Sequence, residues 1–159
     1  MRQLKRNKLM PREKSAGAII YRMVNGVPHY LLLHYHSGHW EFARGHIDPG
    51  ENENETVIRE VAEETGINDL RIIPGFKGYS KFFFKRTYNL KPEEKKKAPW
   101  IFKLVVLYLA ETKTENVVIS DEHKGFGWFN YDDAYKKLLK SGKEVLKKAN
   151  DYLISTKGI

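Results

Sequence analysis

Residues 53–66 read Glu-Asn-Glu-Thr-Val-Ile-Arg-Glu-Val-Ala-Glu-Glu-Thr-Gly, and the spacing of their acids is the first chemical feature of the chain. At about 100° per residue, a helix here sets Val57, Ile58, Val61 and Ala62 on one arc and Arg59, Glu60, Glu63 and Glu64 on the other. The apolar arc can pack on a sheet, while three carboxylates gather within one turn. Like charges at such spacings repel and weaken a helix unless a cation sits among them. Hard divalent cations take oxygen ligands of this kind, and magnesium typically binds through one or two carboxylates together with substrate phosphates. On spacing alone a solvated acidic face would explain the pattern. The residues around the helix overturn that explanation.

Residues 45–67 read Gly-His-Ile-Asp-Pro-Gly-Glu-Asn-Glu-Asn-Glu-Thr-Val-Ile-Arg-Glu-Val-Ala-Glu-Glu-Thr-Gly-Ile. This stretch resembles the Nudix box, with Gly45, Glu51, Arg59, Glu60, Val61, Glu63, Glu64, Gly66 and Ile67 all at matching positions. The resemblance implies an α/β fold, an α/β/α sandwich around a mixed sheet with a loop–helix–loop metal site. It implies magnesium as cofactor, with manganese able to substitute. Glu60 and Glu64 are then the main metal ligands, Glu63 an auxiliary one, and the Gly45 carbonyl joins them. Arg59 and Glu51 brace the loop as an ion pair. Gly45 and Gly66 allow backbone geometry that other residues resist.

Flanking segments narrow the resemblance to the diadenosine tetraphosphate hydrolases of the animal and archaeal type. They are His39-Trp40-Glu-Phe-Ala-Arg44, Gly75-Phe76-Lys77, the Phe82-Phe83-Phe84 run, Phe102-Lys103-Leu104, and Ser120-Asp-Glu122-His123 followed by Gly125-Phe126-Gly127-Trp128-Phe129. The chain departs from that pattern in two places. Arg44 stands where a lysine is usual, after Phe-Ala in place of Pro-Pro, and the segment 89–99 is longer. The reaction so implied is diadenosine tetraphosphate plus water giving ATP and AMP. Glu122 is then a further metal ligand or the base for the attacking water, and with Glu63 and Arg59 it makes up the catalytic set.

The physical requirements of such a substrate fit the composition of these segments. Four bridging phosphates carry about four negative charges, which magnesium, Arg44, Lys81 and Lys103 can match. Two adenines need flat apolar partners; Phe82, Phe84, Tyr88 and Trp100 are candidates, each stack being worth roughly 1–3 kcal/mol. Strand alternation sends some members of the Phe82–Phe84 run elsewhere. His39 and His46 flank the loop and can touch phosphate. His34, His36 and His39 show no fourth partner for zinc. Two rivals remain: hydrolysis of nucleoside triphosphates or RNA 5′ ends, and a non-catalytic nucleotide- or nucleic-acid-binding module, which would typically have lost box glutamates.

The elements that must hold these residues are legible in outline. Residues 16–21 read as a strand closed by the turn-like Asn25-Gly26, and 29–35 as its partner, buried on both faces. Residues 38–50 read as a loop, and 56–65 as a helix stopped by Gly66. Strands follow at 75–86 and 100–110, separated by an exposed polar loop at 89–99, with a short last strand at 125–129. From Asp132 onward apolar residues recur at helical spacing, and Gly142 is expected to split two helices. The organisation is a basic tail at 1–13 and one domain at 14–159.

Composition sets further bounds. The chain has 159 residues, enough for one domain with a sizeable core. It has no cysteine, which excludes disulfides and thiolate metal sites and makes the cytoplasm the expected address. It has no apolar run long enough for a membrane span. The net charge of +8 is concentrated at the ends: residues 1–14 and 136–159 each carry +5, leaving 15–135 at −2. A basic tail and terminal helix point to solubility or weak steering, so nucleic acid is not expected as the main partner. The expected partner is a small nucleotide, bound by a monomer or homodimer.

Overall fold

The structure, a computed structural model, describes residues 10–159; the first nine residues of the basic tail lie outside the described residues. At its centre are two strands whose apolar runs leave no face for water. In β1 (Arg12–Val24) every residue from Ser15 to Tyr21 is buried, and in β2 (Val27–Tyr35) Tyr30 to Leu33 are. Asn25 and Gly26, both at positive φ, turn one into the other. This is the both-faces burial expected for 29–35.

Around them stand β3 (Trp40–Glu41), β4 (Ala43–His46), β5 (Arg71–Phe84), β6 (Ile101–Glu111) and β7 (His123–Phe129). The sheet runs β3-β2-β1-β6-β5, with β4 also on β1 and β7 also on β2. Among the described strands β1 and β6 pair in parallel and the others antiparallel, so the sheet is mixed. Alternation along β1 divides the core. Ala16, Ala18 and Ile20 face α1 (Glu53–Thr65), whereas Ile19 and Tyr21 face α3 (Tyr131–Lys137) and α4 (Lys140–Lys157). Helices cover both faces, giving the α/β/α sandwich.

Four differences from the sequence reading have local causes. The 38–50 loop contains β3 and β4, too short for an alternation pattern. Helix α1 begins at Glu53, a turn early, because Asn52 caps it by accepting from the Glu55 N–H at 2.8 Å. The 89–99 segment, expected as loop, holds the exposed six-residue α2 (Pro92–Lys97), with proline in its first turn, acids early and lysines late. The two C-terminal helices part at Leu138 and Leu139, ahead of Gly142. The core draws in Leu138 and its backbone bridges to Trp40; Gly142 leaves room for that leucine, since a Cβ there would meet Leu138 at 3.1 Å.

β5 starts earlier than residue 75. A bulge between Ile72 and Lys77 absorbs Pro74 and Gly75, and the Tyr152 hydroxyl donates to the Pro74 carbonyl at 2.7 Å.

Candidate active site

Helix α1 lays Val57 and Val61 against β1 and β4, whereas Ile58, expected on the same apolar arc, is 47% exposed at its edge. That docking fixes the other arc over the β4 backbone. Glu64 is only 4% exposed, and it accepts from the Arg44 backbone N–H at 3.2 Å. Glu60 lies so close to Gly45 that any Cβ at position 45 would overlap the Glu60 carboxylate. Glycine is required there for close approach. Gly66, at φ 73°, ends the helix in the left-handed conformation, its N–H bonding to the Ala62 carbonyl.

Arg59 is the organising cation of the loop. Its Nε donates to Glu51 at 2.7 Å, Nη1 to Glu60 at 2.8 Å and Glu63 at 3.3 Å, and Nη2 to the His46 carbonyl at 3.0 Å. This guanidinium holds the Glu51 carboxyl down at about 2, aided by the Asp48 N–H. The ion pair expected between Arg59 and Glu51 is present. Glu63 is 58% exposed on the outer side of this cluster.

A groove of about 470 Å³ opens beside α1. Glu60, Glu64 and Glu122 line one part of it, and Arg44, Lys103 and His46 another. Burial pushes the Glu64 carboxyl up to about 8, with Glu60 and Glu122 adding to the rise against the Arg44 N–H. Burial raises Glu60 as well, opposed by Arg59. Carboxylates that lift one another in this way match a divalent cation, which would relieve the repulsion.

His123, unassigned in the sequence reading, belongs to the same cluster. Ligand atoms of Glu64, Glu122 and His123 all lie within 4.8 Å of one another. The imidazole is buried against the edge of Tyr35, which lowers its basicity, and its Nδ1 lies 3.2 Å from the Ser120 hydroxyl. Its buried Nε2, 4.0 Å from Glu64, has no hydrogen-bond partner among the described residues. A clue was present in the sequence, since His123 opens a strand directly after an acidic turn.

The cationic wall rests on aromatics. The Arg44 guanidinium lies over Phe82 at 5.3 Å and pairs with Glu41; the Lys103 ammonium lies 5.9 Å from the same ring. Burial lowers the Lys103 pKa, and Arg44 beside it adds to the effect. Phe84 packs on Phe82 at 6.1 Å, with Arg86 over it. On the far side of Arg44 lies an apolar pocket of about 300 Å³ lined by Trp40, Phe42, Phe82, Val105 and Leu138.

The remaining candidates stand outside the groove. His39 stacks on Tyr35 at 5.0 Å and lines the apolar pocket. Lys81 lies on the sheet face opposite Phe82, because neighbours on a strand alternate. Tyr88 is solvent-exposed past the end of β5, and Lys85 covers the Trp100 ring. His34 stacks on Trp40, and His36 donates to the Asp121 carbonyl at 2.9 Å, so the histidines form no cluster.

Known proteins resemble this chain in sequence and in fold. The family model described as the NUDIX domain matches residues 11–149. The asymmetrical bis(5'-nucleosyl)-tetraphosphatase of Mus musculus is 36% identical over 156 residues, covering 90% of this chain and 97% of the relative. The Caenorhabditis elegans protein of the same name is 33% identical over 125 residues, 77% of this chain and 83% of its own. The crystal structure of a C. elegans Ap4A hydrolase binary complex superposes with a TM-score of 0.73 at 30% identity, covering 90% of this chain and 98% of that one. A domain match that runs from β1 into α4, with the whole fold recovered alongside it, places this chain in the NUDIX family.

Proposed function

We propose that this protein hydrolyses dinucleoside polyphosphates with magnesium as cofactor, cutting diadenosine tetraphosphate to ATP and AMP. The observation that carries the reading is the groove in which Glu60, Glu64 and Glu122 meet Arg44 and Lys103 beside an apolar pocket. Acids suited to a metal, cations suited to phosphate and a flat apolar recess suited to a base adjoin one another. Relatives that bear the tetraphosphatase name over nearly their full length support it.

Glu60 and Glu64 would hold the magnesium, with the Gly45 carbonyl beside them. Bound there, the ion supplies a Lewis acid that offsets phosphate charge. Arg44 has its guanidinium fixed by Glu41 and Phe82, so it meets a bridging phosphate in a set orientation. Lys103, half-buried beside another cation, gains by pairing with an anion. Glu122, exposed on the groove wall, takes the proton of the attacking water. Phe82 and Trp40 in the adjoining pocket receive an adenine. The reading accommodates manganese in place of magnesium.

The test is a substrate panel with product identification. Diadenosine tetraphosphate should exceed ATP by at least about 10²-fold in kcat/KM, which requires roughly 2.7 kcal/mol of differential transition-state binding. Equal efficiency on ATP, or a preference for RNA 5′ triphosphates, would overturn the substrate assignment.

A further inference from the structure

Among the described residues, helix α1 covers β1 and β4 and leaves the same sheet face bare over β5 and the end of β6. Cross-strand register aligns three rows on that face. Arg12 pairs with Phe102, which pairs with Phe83; Lys14 pairs with Leu104, which pairs with Lys81; Ala16 pairs with Val106, which pairs with Tyr79. Along β5 the residues pointing this way are Lys77, Tyr79, Lys81 and Phe83, an alternation of cation and ring. Tyr79 is 51% exposed and Phe83 59%. Just past the strand ends the pattern repeats, with Lys85 over the 54%-exposed Trp100 at 4.8 Å.

Lysines alone would have a simpler purpose, since they discourage pairing at an edge strand, and β5 is one. Exposed aromatic rings between them do the reverse and invite association. The charge on this face is one-sided as well. Arg12, Lys14, Lys77 and Lys81 meet one carboxylate, Glu53, whose Oε1 pairs with Lys77 at 2.6 Å and Oε2 with Lys14 at 2.7 Å. Arg12 and Lys14 come from the basic N-terminal stretch, and strand pairing sets them on the same face as Lys77 and Lys81 of β5. A second copy would bring these four cations against their own equivalents across a two-fold axis. An anionic chain carrying flat apolar groups suits both the charges and the rings.

We propose that this open face of β1, β6 and β5 binds single-stranded nucleic acid, its bases stacking on Tyr79, Phe83 and Trp100 and its phosphates running along Arg12, Lys14, Lys77 and Lys81. Tyr79 and Phe83 lie about 13 Å apart along the strand, room for separate bases. Glu60 lies about 10 Å along α1 from Glu53, so a strand on this face lies near the catalytic groove. Such binding does not depend on whether the groove hydrolyses a dinucleotide.

The test uses the whole protein and a fluorescein-labelled single-stranded RNA of about 12 nucleotides, read by anisotropy. Binding should weaken about 50-fold from 50 to 200 mM salt, as four phosphate contacts dictate. The double variant Tyr79→Ser/Phe83→Ser should lose at least about 30-fold in affinity. Its melting temperature and its hydrolysis of diadenosine tetraphosphate should stay unchanged. Tyr79→Phe/Phe83→Tyr should restore binding. No binding at about 100 μM protein, or equal affinity in the Ser variant, would overturn the proposal. So would a wild-type dimer that the Ser variant converts to monomer with RNA affinity unaltered, because the face would then be a contact between copies.

Discussion

Replacing Glu64 with Gln separates the role of this residue in catalysis from its effect on stability, and the two should move in opposite directions. The Glu64 carboxyl titrates near 8 in the folded chain, pushed up by burial and by Glu60 and Glu122. An unfolded glutamate titrates at about 4.3. Between those values the folded state holds a proton that the unfolded state has released, so stability falls as pH rises through this window. The accumulated loss at pH 8 is about 4.5 kcal/mol, and at pH 5 it is about 1 kcal/mol. Gln keeps the shape without the charge. In chelator at pH 8, Glu64→Gln should therefore melt higher than wild type by roughly 9–18 °C, with the gap nearly closed at pH 5. Magnesium should raise the melting point of wild type at pH 8 and leave the variant almost unmoved, while hydrolysis by the variant falls by several orders of magnitude. Differential scanning fluorimetry at the two pH values, with and without magnesium, measures every arm. A variant that melts below wild type at pH 8 in chelator would refute the reasoning, because Glu64 would then be stabilising in the charged form.

Other consequences follow from single contacts. Glu122→Gln should lower kcat about 10²-fold with substrate affinity nearly unchanged, measured by steady-state kinetics. Gly45→Ala inserts a Cβ where the Glu60 carboxylate lies, so magnesium affinity and turnover should fall while far-ultraviolet circular dichroism stays the same. Arg59→Ala leaves Glu51, Glu60 and Glu63 without their shared cation. Wild type should lose stability as pH falls from about 4.3 towards 2, where Glu51 takes up its proton, and acid titration of the variant should lack that portion of the loss. Lys103→Ala should narrow the preference for diadenosine tetraphosphate over ATP, since Lys103 lines the cationic side of the groove.

What the sequence determined by itself is local. The angular positions of Glu60 and Glu64 on α1 and the stop at Gly66 depend on residues close in the chain, whose spacing dictates which face they share, while the pairing of Arg59 with Glu51 was legible through the resemblance to the Nudix box. The both-faces burial of β2 was equally readable, because an unbroken apolar run has no polar face to offer water. Strand register is a long-range quantity, and it decided the rest. The parallel pairing of β1 with β6 and the antiparallel pairing of β6 with β5 placed Lys103 over Phe82, with Lys81 on the opposite face, a distinction that adjacent lysine-bearing strands do not reveal before their partners are known. The same pairing assembled a basic aromatic face from residues of β1, β6 and β5 that lie far apart in the sequence. Tertiary packing brought His123 against Glu64 and set the helix break at Leu138, where the core's demand for a leucine and a bridge to Trp40 outweighed the helix-breaking tendency of Gly142. Propensity acts within a few residues, whereas burial and register act across the whole sheet, so the acidic helix was legible and most of the groove around it was not.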